Sequence, residues 1–354
     1  MWYVGFFSLA GLLAIIITPL VRMFATKYGY MDNPRPPRNL HNYSVAKLGG
    51  LAIYLAVLLA MSVFWAIGGI DYNIVPEKFI LAIIFGGAIL VISGLIDDKY
   101  DLSAKYLWIF PALAALIVVL SGIGVGIKFL SNPFGDPISL DFMVIGLPIS
   151  GIFIFIWMLG MMFTTKFLDG LDGLVAGIGV IASLTLFALS LTERVNQPIT
   201  ATLAIILAGV LVGYLVYAFN PASIFLGEGG STIVGFFLGV LSVILGAKIA
   251  TALLVMGIPI LDVAWVIAQR LWYRKSPFIG DRLHLHFKLI DLGFTQKQTA
   301  LILYAISAVF GFTAVFLQSQ GKLVALIILF ALMAGLILGV IFAYRKKQKN
   351  NQLT

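Results

Sequence analysis

Long apolar stretches recur along the whole chain, and they restrict the possible fold more than any other feature of the sequence. Sixty-one per cent of the 354 residues are hydrophobic and only 11% are charged, whereas a soluble domain is about a quarter charged. A helix of about 20 apolar residues spans the hydrocarbon of a bilayer and satisfies its own backbone hydrogen bonds. The sequence therefore predicts an all-α, polytopic integral membrane protein.

The apolar stretches divide the chain into eleven predicted transmembrane helices. The first has no basic region before it and no small-residue cleavage site after it, so we expect a retained helix rather than a signal peptide. The connecting loops are too short for a separate hydrophobic core, which predicts one membrane-embedded domain over residues 1–354. The predicted helices are 2–25, 47–68, 77–96, 106–123, 144–163, 174–192, 199–219, 231–247, 250–270, 299–317 and 321–344.

The basic residues predict the orientation of these helices. Lys and Arg concentrate on one side of the predicted membrane, and the positive-inside rule makes that side cytoplasmic. The N-terminus is then outside and the C-terminus is cytoplasmic. Since topology accounts for the net charge of +8, we expect no nucleic-acid partner. Five of the 23 basic residues lie on the outer side, namely Lys78, Lys128, Arg194, Lys248 and Lys322. The cytoplasmic loops are 26–46, 97–105, 164–173, 220–230 and 271–298.

Five carboxylates in the cytoplasmic loops are candidate functional residues. Asp97 and Asp98 end a predicted helix, where the helix dipole and their mutual repulsion oppose two adjacent negative charges. Such a pair suits a shared cation or proton, although two solvated loop acids are the plain alternative. Asp169 and Asp172 would share one face of a helix, and Asp172 could instead cap the following helix. Glu228 stands among glycines in GEGGS, a pattern that suits a phosphate or metal cradle.

The basic side chains of two loops suit anionic ligands. In the first loop Lys47 follows Arg35, Arg38 and His41, and the helix that opens at Gly49-Gly50 favours an anion at its N-terminus. Each of these charges also fits a plain positive-inside loop. The last loop contains His284 and His286 two residues apart, which excludes the HExxH zinc signature and suits phosphate oxygens. Two charged residues precede these histidines, Asp281 and Arg282.

Together these loops resemble the polyprenyl-phosphate N-acetylhexosamine-1-phosphate transferases. The resemblance covers nearly the whole chain in order. Its last loop has the form DRxHLH, which favours this branch over the related phospho-N-acetylmuramoyl-pentapeptide transferases with three consecutive histidines. The matching residues are Asp32 and Pro34, Leu48-Gly49-Gly50, Asp97-Asp98 with Leu102, DGLDGL at 169–174, GEGGS at 227–231, PILD at 259–262 and SPFIGDRLHLH at 276–286.

The resemblance implies a reaction at the cytoplasmic face of a bacterial inner membrane. A UDP-sugar, most simply UDP-N-acetylglucosamine, would give its sugar 1-phosphate to undecaprenyl phosphate and release UMP. This is the first membrane step of cell-envelope glycans such as teichoic acid or O-antigen. By analogy a homodimer is expected.

The resemblance also implies roles for the candidate residues. Asp97 would act as base or orient the lipid phosphate, with Asp98 beside it. Glu228 and Asp97 would hold Mg²⁺, with Mn²⁺ as an alternative. The expected substrate-binding residues are Lys47, Lys166, Asp169, Asp172, Asp281, Arg282, His284 and His286.

The chain departs from the family pattern at several positions. Lys166 stands where the family commonly has asparagine, and Glu228 stands in place of the magnesium-binding aspartate. Leu107 and Pro111 replace a usual lysine and glutamine, Gly229 a threonine, and Phe287 a histidine. Two other functions stay open, the pentapeptide transferase reaction and membrane transport. UMP release and the preferred UDP-sugar would discriminate among the three.

Overall fold

Helices form nearly all of the structure, which is a computed structural model describing residues 2–34, 43–127, 147–244, 248–274 and 283–351 and short pieces of 129–144. The helices are α1 (Trp2–Tyr28), α2 (Gly49–Ala66), α3 (Glu77–Tyr100), α4 (Ala104–Leu107), α5 (Ile109–Ser121), α6 (Ile149–Leu168), α7 (Leu174–Ser190), α8 (Pro198–Ala218), α9 (Gly227–Val243), α10 (Ile249–Val255), α11 (Gly257–Trp272), α12 (Leu285–Leu292), α13 (Gln296–Phe316) and α14 (Ser319–Asn351).

Six short strands pair as three antiparallel two-stranded sheets. They are β1 (Met31–Asp32) with β2 (Val45–Ala46), β3 (Phe129–Leu130) with β4 (Ile138–Ser139), and β5 (Met143–Val144) with β6 (Leu147–Pro148). Each strand has two residues, so the sheets serve as clips on loops and leave the core to the helices. The prediction of an all-α membrane protein is confirmed at this level.

Within the part of the chain that the structure describes, six helices are long and apolar enough to cross a bilayer, or seven if one bent pair counts as a single span. Shorter apolar helices cover Ile109–Ser121, Leu174–Ser190, Gly227–Val243 and Gln320–Leu336. The long helices bury one side against each other and leave apolar side chains on the other, as expected for a bundle in lipid. The number of eleven spans and their orientation stay predictions.

The segment predicted as one helix over 250–270 is bent by 79° between α10 and α11. Gly257 and Pro259 open α11. Proline has no amide to donate and its ring clashes with the carbonyl four residues before it, so a continuous helix is disfavoured here. The uninterrupted helix is therefore a wrong prediction, and the bend sets the direction of α11 and of Asp262 within it.

The Asp97-Asp98 pair and Glu228 lie in helices, although the sequence predicted loops at these positions. Helix α3 continues to Tyr100 and ends at Asp101, which adopts a left-handed conformation with φ of 53°. Asp97 and Asp98 therefore occupy the last turn of α3. Helix α9 begins at Gly227, so Glu228 lies in its first turn, where the dipole favours a negative charge. The predicted loop bounds 97–105 and 220–230 are corrected accordingly.

Glycines allow α9 to cross two other helices at backbone contact. A Cβ on Gly230 would lie 2.8 Å from the amide nitrogen of Gly50 in α2, and a Cβ on Gly94 in α3 would collide with the backbone of Gly229. Gly229 and Gly230 are both buried. The glycines of GEGGS thus serve helix packing, and this packing brings Glu228 next to the end of α3.

Backbone hydrogen bonds tie the loops at this end of the bundle to one another. The amides of Gly49 and Gly50 donate to the carbonyls of Phe225 and Leu226, both at 2.9 Å. The predicted anion at the N-terminus of α2 is therefore wrong, because its first amides already have partners. Nearby, the Tyr304 hydroxyl of α13 donates to the Gly173 carbonyl at 2.6 Å.

Candidate active site

A cavity of about 380 Å³ lies where these loops meet. It gathers residues that are far apart in the sequence, from the first loop to the start of α13. Most of the predicted site residues lie on its wall, and the acidic ones outnumber the basic ones. The charged residues and histidine that line it are Asp32, Lys47, Asp97, Asp98, Lys166, Asp169, Asp172, Glu228 and His284.

Asp98 is held in place by a cation and by a helix N-terminus. Its side chain is only 4% exposed, and its Oδ1 lies 3.6 Å from Lys47 Nζ. It accepts a hydrogen bond from the backbone amide of Glu228. Lys47 also lies 3.7 Å from Asp32. These contacts hold the Asp98 carboxyl in a fixed position between α3 and α9.

Asp97 has fewer contacts with the protein than its neighbour. Its Oδ1 accepts a hydrogen bond from the Leu102 amide at 2.8 Å. The donor follows the end of α3, and this hydrogen bond orients the carboxylate. The side chain lines the cavity. Of the two adjacent acids, Asp97 is thus the one better placed to meet a ligand.

Lys166 and Glu228, two departures from the family pattern, contact each other. Lys166 Nζ forms an ion pair with Glu228 Oε1 across the cavity, and both side chains are 20% exposed. The longer carboxylate therefore reaches a cation contributed by the end of α6. The sequence alone placed these residues in different loops and did not predict the pair.

Asp169 follows α6 and lies on the cavity wall. Solvent reaches it through the cavity, while protein surrounds the carboxyl on its other sides. This burial, followed by the negative charges of Glu228, Asp98 and Asp172, raises the pKa of Asp169 to about 8. This shift favours the protonated carboxyl, and a cation in the cavity would oppose the shift.

Asp172 ties two of the site-forming loops together. Its Oδ2 accepts hydrogen bonds from Asn220 Nδ2 at 2.8 Å and from the Ala222 amide at 3.1 Å. The helix α7 is capped by Gly173 without a side-chain hydrogen bond. The alternative of Asp172 as an N-cap is therefore wrong, and its contacts instead fix the position of the loop before α9.

The two histidines have different positions. His284 lines the cavity, and its Nδ1 lies 2.8 Å from Asp262 Oδ2, while Asp262 Oδ1 accepts from the Leu285 amide at 2.9 Å. Its ring also stacks on Phe167 at 5.9 Å. Because Asp262 accepts from Nδ1–H, it fixes the ring and leaves Nε2 as the second polar atom.

His286 packs behind the cavity wall. It is 1% exposed and stacks on His284 at 5.6 Å. Burial and, less strongly, the charge of His284 lower the pKa of His286 to about 4, although Asp262 acts in the opposite direction. A neutral, enclosed ring does not supply a cation for phosphate, so the structure gives His286 no direct place in the expected phosphate site.

Some candidates lie outside the described residues, and others were missed by the sequence analysis. Asp281 and Arg282 are outside the description, as are Arg35, Arg38 and His41 of the first loop. Asp262 was noted as part of PILD and as an acid inside a predicted helix but was given no role at the site, and Gln296 was not considered although it lines the cavity. A buried acid in an apolar helix was a usable signal for Asp262.

The carboxylates of the cavity suit a hard divalent cation. Asp97, Asp169 and Glu228 all line it, and Mg²⁺ is usually held by one or two carboxylates together with substrate phosphates and water. Among the described residues, no group of three or more His, Asp or Glu is already arranged as a metal site. The residues therefore fit a cation that is shared with a bound phosphate.

The shifted pKa of Asp169 predicts a pH-dependent effect of Asp169→Asn on stability. The folded-state pKa of about 8 lies above the ordinary aspartate value of 3.8, so unfolding releases a proton between these pH values. The contribution of Asp169 to the stability of the parent protein is then greatest below pH 4 and falls as pH rises to 8. Asparagine does not ionise, so the variant does not lose this stability. We therefore expect the Tm of the variant, relative to the Tm of the parent protein, to increase from pH 4 to 8. Thermal unfolding in detergent with EDTA measures this, and a pH-independent difference would contradict it.

The contact between Asp262 and His284 predicts that Asp262 is a positioning residue. Asparagine has one carbonyl oxygen, so Asp262→Asn can accept from His284 or from the Leu285 amide but not from both. We expect about a tenfold loss of turnover, typical when the partner of a functional histidine is removed. His284→Ala should weaken binding of the nucleotide sugar, seen as a raised KM. In the double variant with His284→Ala, Asp262→Asn should cause little further loss of turnover. Additive losses of turnover would show that Asp262 does not act through His284.

The geometry defines a polytopic helical membrane protein with an acidic, partly cationic cavity at one end of its bundle. Residues 80–246 match the model of glycosyl transferase family 4. The chain is 30% identical over 334 residues to the "Probable undecaprenyl-phosphate N-acetylglucosaminyl 1-phosphate transferase" of Bacillus subtilis (strain 168), covering 92% of this chain and 88% of that relative. This chain belongs to glycosyl transferase family 4, which confirms the resemblance.

Two further relatives extend the similarity over most of the chain. The "Decaprenyl-phosphate N-acetylglucosaminephosphotransferase" of Mycolicibacterium smegmatis is 28% identical, with 87% of this chain and 81% of the relative covered. The "Undecaprenyl-phosphate alpha-N-acetylglucosaminyl 1-phosphate transferase" of Thermotoga maritima is 27% identical, with 84% and 86% covered. These relatives differ in the polyprenyl named and share the N-acetylglucosamine.

Proposed function

We propose that this protein transfers N-acetylglucosamine 1-phosphate from UDP-N-acetylglucosamine to a polyprenyl phosphate such as undecaprenyl phosphate, and releases UMP. The observation that carries the proposal is the single cavity that joins the Asp97-Asp98 pair, Asp169 and Glu228 to Lys47 and Lys166. The names of three relatives over most of this chain support the same reaction. We place the site at the cytoplasmic face of a bacterial inner membrane, on the positive-inside argument.

The cavity provides what such a transfer requires. An oxygen of the lipid phosphate attacks the phosphorus next to the sugar, the bond from that phosphorus to the UMP oxygen breaks, and UMP leaves. Both reactants are anionic, so the site has to offset their repulsion and align them for in-line displacement. Lys47, Lys166 and His284 line the same cavity as the acids and are the described side chains that can contact phosphate oxygens.

Asp97 has the position of a base or an orienting acceptor. If the lipid phosphate arrives with a proton, Asp97 accepts it and exposes the attacking oxygen. Asp98, fixed between Lys47 and the Glu228 amide, keeps the end of α3 in place and orients Lys47. Asp172 holds the loop before α9 through Asn220, so it contributes to the shape of the nucleotide side of the cavity.

We also propose that the cavity uses Mg²⁺, with Mn²⁺ as a substitute. Asp97 and Glu228 would hold the ion, and the bound ion would offset negative charge on the phosphate oxygens. The mutual repulsion among Asp169, Glu228 and Asp98 supports this, since a cation relieves it. A homodimer is proposed from the family resemblance alone.

The ion pair of Lys166 with Glu228 predicts tighter metal binding in Lys166→Asn. The ammonium group and the metal compete for one carboxylate, and a partly exposed pair is worth up to about 1 kcal/mol, or roughly fivefold in affinity. We therefore expect the half-saturating Mn²⁺ concentration, measured by electron paramagnetic resonance, to fall about fivefold. Lys99→Asn, on the exposed side of the last turn of α3, is the matched control. An unchanged Mn²⁺ affinity in Lys166→Asn would show that Glu228 does not bind the metal.

Transport is the second candidate function from the sequence. Six of the described acids gather in one cavity at the end of the bundle, as a surface transferase requires. Asp262 is engaged with His284 rather than with a path between helices. This arrangement supports the transferase. Vesicle flux without UMP release would favour transport.

The test is UMP release by the purified protein with undecaprenyl phosphate, Mg²⁺ and UDP-N-acetylglucosamine, with and without EDTA. Release that requires lipid, donor and metal supports the proposal. If UMP is released only when UDP-N-acetylmuramoyl-pentapeptide is the donor, the protein has the activity of the pentapeptide branch. Absence of UMP with every donor would overturn the transferase proposal.

A further inference from the structure

A second cavity, of about 610 Å³, lies among the ends of four helices. The turn after α7, the start of α10, the end of α13 and the start of α14 form its wall. Three basic side chains line it, those of Arg194, Lys248 and Lys322. Among the described lining residues there is no Asp or Glu. The cavity therefore concentrates positive charge in an otherwise apolar part of the chain.

This cavity lies at the end of the bundle opposite the candidate active site. Helix α7 begins beside the acidic cavity at Gly173 and ends one residue before Leu191, next to the basic cavity. Its 17 residues span about 25 Å at 1.5 Å per residue. Helix α13 joins the same two ends, from Gln296 to Phe316. The basic cavity is thus a separate site, at the predicted outer face of the membrane.

Lys248 is the most enclosed cation of the cavity. The residue is 5% exposed, and its Nζ donates to Gln197 Oε1. Burial lowers the pKa of Lys248 to about 8, so the ammonium form still predominates at neutral pH. A charge enclosed with a neutral amide as its hydrogen-bond partner is costly unless an anion also approaches.

Lys322 and Arg194 add charge beside Lys248. Lys322 Nζ donates to Thr251 Oγ1 at 2.7 Å, and the positive charge of Arg194 acts on Lys322. Arg194 and Lys322 repel each other, and the ammonium groups of Lys248 and Lys322 donate hydrogen bonds to neutral oxygens. Three cations that line one cavity form a site in which two or more negative charges would be stabilised. Ammonium and guanidinium groups are the common partners of phosphate oxygens.

Apart from Thr192, Thr251 and Gln318, the rest of the lining is apolar. It includes Leu189, Val315, Leu317, Leu323 and Leu326. A hydrated inorganic ion gains nothing from such a surface, whereas a phosphate that carries hydrocarbon buries its chain there. The chemistry of the cavity is therefore that of an amphiphile with an anionic head.

We propose that this cavity binds the phosphate group of an anionic membrane lipid, with Lys248, Lys322 and Arg194 around the phosphate and the aliphatic side chains along its hydrocarbon. The site is distinct from the transferase cavity, and its occupancy does not depend on the proposed reaction. Bound lipid would join the ends of α7, α10, α13 and α14.

The test measures lipid retained by the purified full-length protein in neutral detergent, by native mass spectrometry, with phosphatidylglycerol or phosphatidylcholine as the probe. We expect phosphatidylglycerol to bind at least tenfold more tightly than phosphatidylcholine and to raise Tm with saturation. Lys248→Met combined with Lys322→Met should reduce this preference at least tenfold. Lys322→Met alone changes a partly exposed position and leaves the buried Lys248 intact. We expect it also to reduce the preference for phosphatidylglycerol.

The controls separate the sources of phosphate. Lys78→Met removes an exposed lysine at the start of α3, near the same predicted face, and should leave binding unchanged. Competition by inorganic phosphate at millimolar concentration would show that the phosphate group alone suffices, and no competition would show that the lipid chain is required. Both results support the site. Equal binding of the two lipids, or equal losses in Lys78→Met and Lys322→Met, would overturn it.

Discussion

Asp97→Asn and Asp98→Asn are each expected to lower the rate of UMP release by about 1000-fold while leaving the protein folded. Loss of a positioned proton acceptor typically costs 10²- to 10⁴-fold, and asparagine keeps the shape of the side chain. For Asp97 the loss follows from the missing negative charge in the cavity. For Asp98 it follows from a weakened hold on Lys47 and on the Glu228 amide.

The two variants act in different ways. Asp98 is the more enclosed and has a cationic partner, so its replacement leaves Lys47 with a weaker partner. Asp97→Asn leaves that contact intact. The matched control is Asp101→Asn, because Asp101 has a left-handed backbone that asparagine tolerates and is absent from the cavity lining. Normal turnover in both Asp97→Asn and Asp98→Asn would refute the site assignment.

Gly94→Ala is expected to have the second largest effect, although alanine is the better helix former. The added Cβ would meet the amide nitrogen and Cα of Gly229, which are backbone atoms that cannot rotate away. Relief requires α3 and α9 to separate, and overpacking of this kind costs about 1–3 kcal/mol. The separation also moves Asp98, one turn further along α3, away from the Glu228 amide. We therefore expect a lower Tm and at least a tenfold loss of turnover.

Gly160→Ala provides the matched control for this prediction. Gly160 lies inside α6, and a Cβ there would meet no atom within 4 Å. The same substitution should therefore stabilise the protein slightly, by up to about 1 kcal/mol, because alanine restricts the unfolded chain. If Gly94→Ala and Gly160→Ala behave alike in Tm and turnover, the close crossing of α3 and α9 does not position the site.

Much of the helical architecture could be predicted because it depends on local composition. Runs of apolar residues dictate helices in lipid whatever their neighbours, and the start of α7 was predicted at the residue where it occurs. Boundaries near charged residues were less predictable. Helix α3 continues through Asp97 and Asp98 because Lys47 and the first turn of α9 contact Asp98, and those partners come from distant parts of the chain.

The motifs also indicated the acidic residues of the cavity, since a carboxylate beside hydrocarbon is costly unless it has a use. Their pairings required the structure. The contact of Lys166 with Glu228 depends on how α6 packs against α9, and the contact of Asp262 with His284 depends on the bend before α11. A spacing of two between His284 and His286 does not reveal which ring faces the cavity.

The sequence by itself determined that this is a helical membrane protein and which acids and bases cluster at one face, because hydropathy and charge act through local composition and the membrane. Only the tertiary structure decided which of those groups meet. It fixed the position of the Asp98 carboxyl, left Asp97 on the cavity wall, enclosed His286 and gathered Lys248, Lys322 and Arg194 at the far end. The physical reason is that ion pairs and enclosure depend on distances between segments, and helix packing sets those distances.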